Sequence, residues 1–251
     1  MALAALAALA GARAVPVQAA DAIIAPHVMS WSELGALPDF TTGIWEVHLG
    51  PGALAQAVQP SLTPAYQARA KAYTAAQATG ENQDSPGADC LPNGMPGIMG
   101  QPYPMQILFG PREVTIDIEA FMQVRHIYTD GRPHPDDPDP TFNGNSIGHW
   151  EGGTLVVDSV GFVPITPLGF NWGVHHSSKM HIVERFHLTT PDMLQVETRV
   201  YDPEALTKPW VTSRLFERHA SWTIAEYICE QNNRNEADQN GRAGIVLTPP
   251  K

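Results

Sequence analysis

Four of the ten histidines, His175, His176, His181 and His187, fall within residues 173–187, a stretch that otherwise reads as a β-strand. Imidazole titrates near physiological pH and is the commonest metal ligand, so such a cluster is suited to moving protons or holding an ion. Alternation over 180–188 places Met180, Ile182, Glu184, Phe186 and Leu188 on one face and His181, Val183, Arg185 and His187 on the other. The first face is the apolar one, so Glu184 is a carboxylate aimed where Ile and Phe go. Buried that way, it is either paired with a cation, for which Arg125, Arg199 and Arg214 are candidates, or pushed up in pKa toward a general acid or base.

Two more histidines lie between Ile127 and Asp158, read as a long loop between strands, and loops of that length tend to be functional. His134 is fixed between Pro133 and Pro135, and His149 precedes Trp150 at the lip of the next strand. Asp136, Asp137 and Asp139 read as solvated turn carboxylates, because the intervening prolines spoil a calcium loop. Alternation leaves the direction of Asp158 open. The reading that follows is a cofactor-independent, exported enzyme performing acid–base chemistry of the lyase, hydratase or isomerase type on a small apolar or aromatic molecule. Glu184 and His181 lie on opposite faces of an ideal strand. Glu184 therefore comes first as acid or base, with His149 and His176 as partners, His134 at the rim and His181 joining only through an irregular strand start. Tyr128, Trp150 and Trp172 would supply aromatic walls.

Two rivals come from other classes. A periplasmic copper or zinc protein would use His175, His176, His181 and Met95 or Met99, although the spacing i, i+1, i+6 matches no recognised ligand pattern. A barrel could also carry an apolar ligand without catalysis. No phosphate loop, nucleophile elbow, HExxH or dinucleotide fingerprint occurs. Ser177 and Ser178 beside His176 do not make a nucleophile–base pair by adjacency.

The elements needed to position these residues are mostly strands. Val114, Ile116 and Ile118 alternate with Glu113, Thr115, Asp117 and Glu119, as in a half-buried strand. Further strands are expected near 39–49, 105–109, 122–129, 154–160, 180–188, 193–201, 210–218 and 221–228, separated by turn signals such as Asp130-Gly131 and Asp202-Pro203. Thr63 as N-cap and Pro64 at the first helical position start one helix through Ala78. Residues 80–104, rich in Gly and Pro, should form an irregular packed loop. The fold expected is mostly β, an antiparallel meander curled into a lipocalin-like barrel or half-barrel with one N-terminal helix. A β-sandwich is the alternative. Gly43-Ile-Trp45 resembles the Gly-x-Trp opening of lipocalin-type barrels.

At 251 residues and 43% hydrophobic content the chain can bury one sizeable core. A net charge of -11 argues against nucleic acid or an anionic membrane as partner and favours a neutral or cationic small ligand, with a homo-oligomer left open. The apolar run at the start, followed by Val17-Gln-Ala-Ala20, reads as a signal peptide over 1–20, though no Lys or Arg precedes it. A single domain over 21–234 and a flexible tail over 235–251 would follow, in the periplasm or secreted. There the two cysteines, Cys90 and Cys229, are expected to form a disulfide.

The strings Arg125-His-Ile-Tyr-Thr-Asp-Gly-Arg-Pro-His-Pro135, Ser146-Ile-Gly-His-Trp-Glu-Gly-Gly-Thr-Leu-Val-Val-Asp-Ser-Val-Gly-Phe162, His176-Ser-Ser-Lys-Met-His-Ile-Val-Glu-Arg185 and Glu226-Tyr-Ile-Cys-Glu-Gln-Asn-Asn-Arg234 resemble a large family of exported bacterial proteins usually labelled hypothetical. The resemblance spans roughly residues 40–234 and implies no particular activity. The chain departs from that pattern at Gly152-Gly153, where the family carries Gly-Asp.

Overall fold

Nine strands close into a barrel in a computed structural model that describes residues 27–50, 58–79, 83–84, 90–168, 171–229 and 244–245. They are β1 (Ile44–Val47), β2 (Met105–Phe109), β3 (Glu113–Ile118), β4 (Gln123–Tyr128), β5 (Asn145–Glu151), β6 (Thr154–Val160), β7 (His181–Thr190), β8 (Met193–Tyr201) and β9 (Trp210–His219). Around the wall the order is β1-β9-β8-β7-β6-β5-β4-β3-β2. The expected leader and most of the expected tail lie outside the described residues. Within the tail, Gly244–Ile245 pairs with Gln83–Asp84.

The barrel is the expected fold, closed rather than half-open, and closure removes the free edges that an open sheet would expose. It is not a pure meander. β4 and β5 run parallel, meeting at Ile127–Ser146 and Tyr128–Ile147, and residues 129–144 form the crossover that parallel pairing requires. The seam between β1 and β2 rests on one register pair, Trp45–Met105.

Period-two alternation builds the interior. Val114, Ile116 and Ile118 of β3, Leu155 and Val157 of β6, Ile182 and Phe186 of β7 and Leu194, Val196 and Val200 of β8 are all buried. Each large apolar side chain sealed this way contributes roughly 1.5–3 kcal/mol of transfer free energy. Near the β5–β6 turn, Phe40, Phe109 and Trp150 pack ring against ring at 5.2 to 5.8 Å. Trp45 Nε1 donates to the Phe40 carbonyl at 2.8 Å, and the Arg218 guanidinium lies 4.3 Å from the Trp45 ring centroid.

Three local expectations need correction. β5 falls inside what reads as loop, because its inward positions are Ser146, Gly148 and Trp150 and carry no apolar alternation. Gly148 is required there, since a Cβ would stand 2.8 Å from Ile127 Cγ2. Residues 221–228 are not a strand: Ala225 N donates to Glu119 Oε2 at 2.9 Å, and Tyr227 packs on Tyr103 and Phe121 at 5.4 and 5.2 Å. Among the described residues a second, short helix precedes the expected one. The short α1 (Trp31–Leu34) is held by a Ser30/Glu33 capping box, and α2 (Pro64–Thr79) starts where expected. The Thr63 hydroxyl ahead of α2 donates to the Glu204 carbonyl at 2.8 Å instead of capping the helix.

Cys90 and Cys229 are bonded, as expected, across 139 residues. Closing a loop of that length removes denatured-chain entropy worth about 4–5 kcal/mol as an upper figure. No helix among the described residues is long and apolar enough to cross a membrane.

Candidate functional site

Asp158 is turned outward because its neighbours Val157 and Ser159 belong to the inward face of β6. The β6–β7 register sets Asp158 opposite Val183, so His181, two residues earlier on the outer face of β7, lies on the diagonal. Its Nε2 reaches Asp158 Oδ2 at 2.9 Å. From the crossover, His134 brings its Nε2 to Asp158 Oδ1, also at 2.9 Å, and its Nδ1 to Asn145 Oδ1 at 2.7 Å. Asn145 opens β5 opposite Val160. Asn145, His134, Asp158 and His181 thus form one hydrogen-bonded chain along the outer wall.

The electrostatics follow from these partners. Both His134 nitrogens face oxygen acceptors, an arrangement that favours the doubly protonated ring. The bond to Asp158, aided by Asn145, raises its pKa against the opposing cost of burial. Burial would lift the Asp158 carboxyl, but the bonds from His134 and His181 outweigh it and hold Asp158 well below the ordinary carboxylate range. Asp158 also fixes the His181 tautomer: Nε2 carries the proton and donates, which leaves Nδ1 as the ring's acceptor nitrogen. The His181 ring stacks on Tyr201 at 5.4 Å. The side chains of His134, Asp158 and His181 are 20%, 40% and 38% exposed, so the chain is reachable from solvent.

A pocket of about 530 Å³ adjoins the Asn145 end of this chain. Asn145 and Pro135, the residue after His134, line it, with Val124, Tyr128, Pro138 and Phe142 supplying apolar surface. The Arg132 guanidinium covers the Tyr128 ring at 4.0 Å. Two carboxylate bonds hold Arg132 in place, because Asp130 accepts its Nε at 2.8 Å and its Nη2 at 2.6 Å.

Glu184 lies elsewhere, inside the barrel. It is 0% exposed, and of the two fates open to a buried carboxyl it has the first: Arg125 Nη2 donates to Glu184 Oε2. The same nitrogen donates to Ser159 Oγ at 3.1 Å and Ser146 Oγ at 3.5 Å. Glu184 is therefore not in reach of a ligand on the outer wall, and neither expected partner joins it. His149 points outward and contacts Glu151 Oε1 at 3.2 Å. His176 is buried, its Nδ1 donating to the Ser177 carbonyl at 2.8 Å while the Thr166 hydroxyl meets Nε2 at 2.7 Å. Burial pushes its pKa down, so the ring is a neutral packing element.

Of the five expected catalytic residues, Asp158 gathers His134 and His181, while Glu184, His149 and His176 stand apart. Tyr128 lines the pocket, Trp150 faces the interior, and the side chain of Trp172 lies outside the described residues. Among the described residues no group of three or more His, Cys, Asp or Glu is arranged to hold a metal. Met95 and Met99, the expected soft ligands, are buried in the core.

Asp158 and Asn145 are the members that sequence reasoning missed. Parity carries the signal for Asp158, because inward Leu155, Val157 and Ser159 force it onto the face that His181 occupies one strand away. Asn145 had no such signal, since its strand was not legible. Compared with known proteins, the chain matches no family model and no curated protein.

Proposed function

We propose that this chain is an exported acid–base enzyme of the lyase, hydratase or isomerase type, acting without a cofactor on a small, largely apolar molecule, with His181 rather than Glu184 as the proton-transfer group. One observation carries the reading: a single carboxylate, Asp158, receives two imidazoles at 2.9 Å, and only one of them, His134, has both nitrogens engaged. His181 keeps Nδ1 as an acceptor oriented by Asp158, the arrangement of a general base. His134 balances the Asp158 charge and ties the crossover to the barrel wall. The pocket beside Asn145 is of a size and lining that suit a small apolar molecule. Loss of Glu184 from the set leaves the reaction class unchanged and moves it from the lumen to the outer wall.

The test is isotope exchange. The purified chain is incubated in deuterium oxide with a panel of small aromatic and aliphatic carbonyl compounds and enols, and deuterium uptake is followed by mass spectrometry. The expected result is catalysed uptake into at least one compound, lost in His181→Ala and reduced in Asp158→Asn. No catalysed uptake across the panel, or undiminished uptake in His181→Ala, sinks the reading.

A further inference from the structure

The cavity beside Asn145 exists because β4 outruns its parallel neighbour. β4 and β5 share only the pairs Ile127–Ser146 and Tyr128–Ile147, so among the described residues 123–126 have no strand beside them on that side. Continued backward, the same register would set Val124 against Asn143. Asn143 does reach Val124, but with its side chain: Nδ2 donates to the Val124 carbonyl at 3.3 Å. The two segments are therefore splayed by about one side chain, and the space of about 530 Å³ opens there. Val124, His126 and Tyr128 line it from the outer face of β4, with Phe142 and Asn143 across the splay. Pro138 and Asp139 come from the crossover.

The lining is richer in acceptors than in donors. Asn143 spends its amide N–H groups on the Gln123 Oε1 and Val124 carbonyl, at 3.2 and 3.3 Å, and Gln123 Nε2 donates to the Phe121 carbonyl at 3.1 Å. Asn143 Oδ1 is buried and has no donor. An orphaned acceptor is costly, and a donor brought into the cavity would relieve it.

Charge points the same way. The two cationic side chains of the crossover are already answered, Arg132 by Asp130 and His134 by Asp158. Asp136, Asp137 and Asp139 are exposed and meet no lysine or arginine among the described residues, and of the three Asp139 is the one in the lining. The one basic side chain of the lining, His126, has Nδ1 3.6 Å from Glu113 Oε1. The cavity thus carries one unanswered negative charge within a chain of net charge -11.

We infer that this cavity takes a small primary amine in its ammonium form, its charge beside Asp139 and its apolar body among Val124, Tyr128 and Phe142. An ammonium brings three donors and no acceptor, which is what a lining with surplus acceptors lacks. A carboxylate or phosphate would enter against its own sign, and an uncharged apolar molecule would fill the space without answering either Asp139 or Asn143. The inference rests on the reading above in taking this cavity as the substrate site, and adds the charge of what enters it.

The test uses the whole chain with phenethylamine as probe, phenethyl alcohol as its uncharged counterpart and hydrocinnamate as the anion, read by calorimetry at low ionic strength. The amine should bind about fivefold or more tightly than the alcohol, the scale of a solvent-exposed ion pair, with the anion weakest. Added salt should shrink that margin. Asp139→Asn should remove it, whereas Glu197→Gln, a carboxylate on the outer face of β8, should keep it. Both altered side chains are exposed, so the variants should fold. Val124→Ser should weaken amine and alcohol alike, which places both in the cavity. The inference is overturned if the amine does not bind, if amine and alcohol bind alike, or if Asp139→Asn keeps the margin. Amine binding without isotope exchange would end the acid–base reading and leave this one, and exchange on uncharged compounds with no preference for the amine would do the reverse.

Discussion

His181 Nε2 meets Asp158 Oδ2 at 2.9 Å across the diagonal of the β6–β7 ladder, not across a direct pair, because the register puts Val183 opposite Asp158. A diagonal contact needs a long side chain on one strand, and imidazole supplies the reach. The consequence is a fixed tautomer. In the parent chain the His181 ring should show the Nε2–H form in nitrogen-15 correlation spectra, and Asp158→Asn should collapse it to the mixture of tautomers found in free imidazole. Any activity found by the exchange assay should fall about 100- to 10,000-fold in His181→Ala, the range of a lost general base. An unchanged tautomer in Asp158→Asn would show that the carboxylate does not orient the ring.

The Arg125–Glu184 pair predicts an asymmetry. Replacing Arg125 by Met leaves Glu184 with the attraction of Arg214, whereas replacing Glu184 by Leu leaves the buried Arg125 guanidinium without its carboxylate and removes that attraction as well. Breaking a buried pair costs about 3–5 kcal/mol, so both variants should be much less stable, with Glu184→Leu the worse. The double variant Arg125→Met with Glu184→Leu should recover most of the loss of Arg125→Met. Urea midpoints for the three chains check this, and equal losses in the two single variants would remove Arg214 from the account.

How much of this was readable in the sequence depended on where each residue sits. The inward aim of Glu184 followed from alternation with Ile182 and Phe186, and pairing with an arginine was one of its two stated fates. Arg125 itself was one of three candidates, and choosing among them needed the parallel β4–β5 junction, which no local pattern announces. Asp158 and His181 share a face for the same period-two reason, yet the link between them is a register between strands separated by residues 161–180. β5 was invisible because Ser146 and Gly148 occupy its inward positions, where Ile127 leaves no room for a Cβ. With it went Asn145, the residue that joins the histidine chain to the pocket. The barrel was legible because its other long strands carry their own apolar alternation.

Two glycines separate backbone strain from crowding. Gly144 has φ +72°, and a Cβ there would fall 2.5 Å from Phe162 Cε1 and 2.8 Å from the Val160 carbonyl oxygen. Gly152, in the β5–β6 turn, has φ +58° with nothing within 4 Å of its would-be Cβ. Gly152→Ala should cost about 1 kcal/mol, the left-handed penalty alone, and Gly144→Ala about 2–4 kcal/mol with displacement of Phe162. Gly144 lines the pocket, so its variant should also alter ligand binding there. Equal losses in thermal unfolding would mean that Phe162 yields freely.

Stability should depend on pH through three groups with different signs. The folded-state pKa of His134 is raised, so its contribution is complete below the unfolded value of about 6.5 and disappears as pH climbs through the folded value. Asp158 is lowered, so its contribution is complete above about 3.9 and is lost as pH falls through its folded value. The two together tie residues 129–144 to the wall most firmly between about pH 4 and 6.5. His176 runs the other way from His134: buried and neutral, its contribution is complete above about 6.5 and shrinks as pH falls below it. The Asp158 side chain is 40% exposed, so solvent screens the tie to about 1 kcal/mol or less. Amide exchange in 129–144 should therefore quicken as pH rises past the His134 transition, after correction for the intrinsic rate. His134→Gln should abolish that step and leave the acid-side loss from His176 in place. A step that survives in His134→Gln would assign the crossover's anchorage to another group.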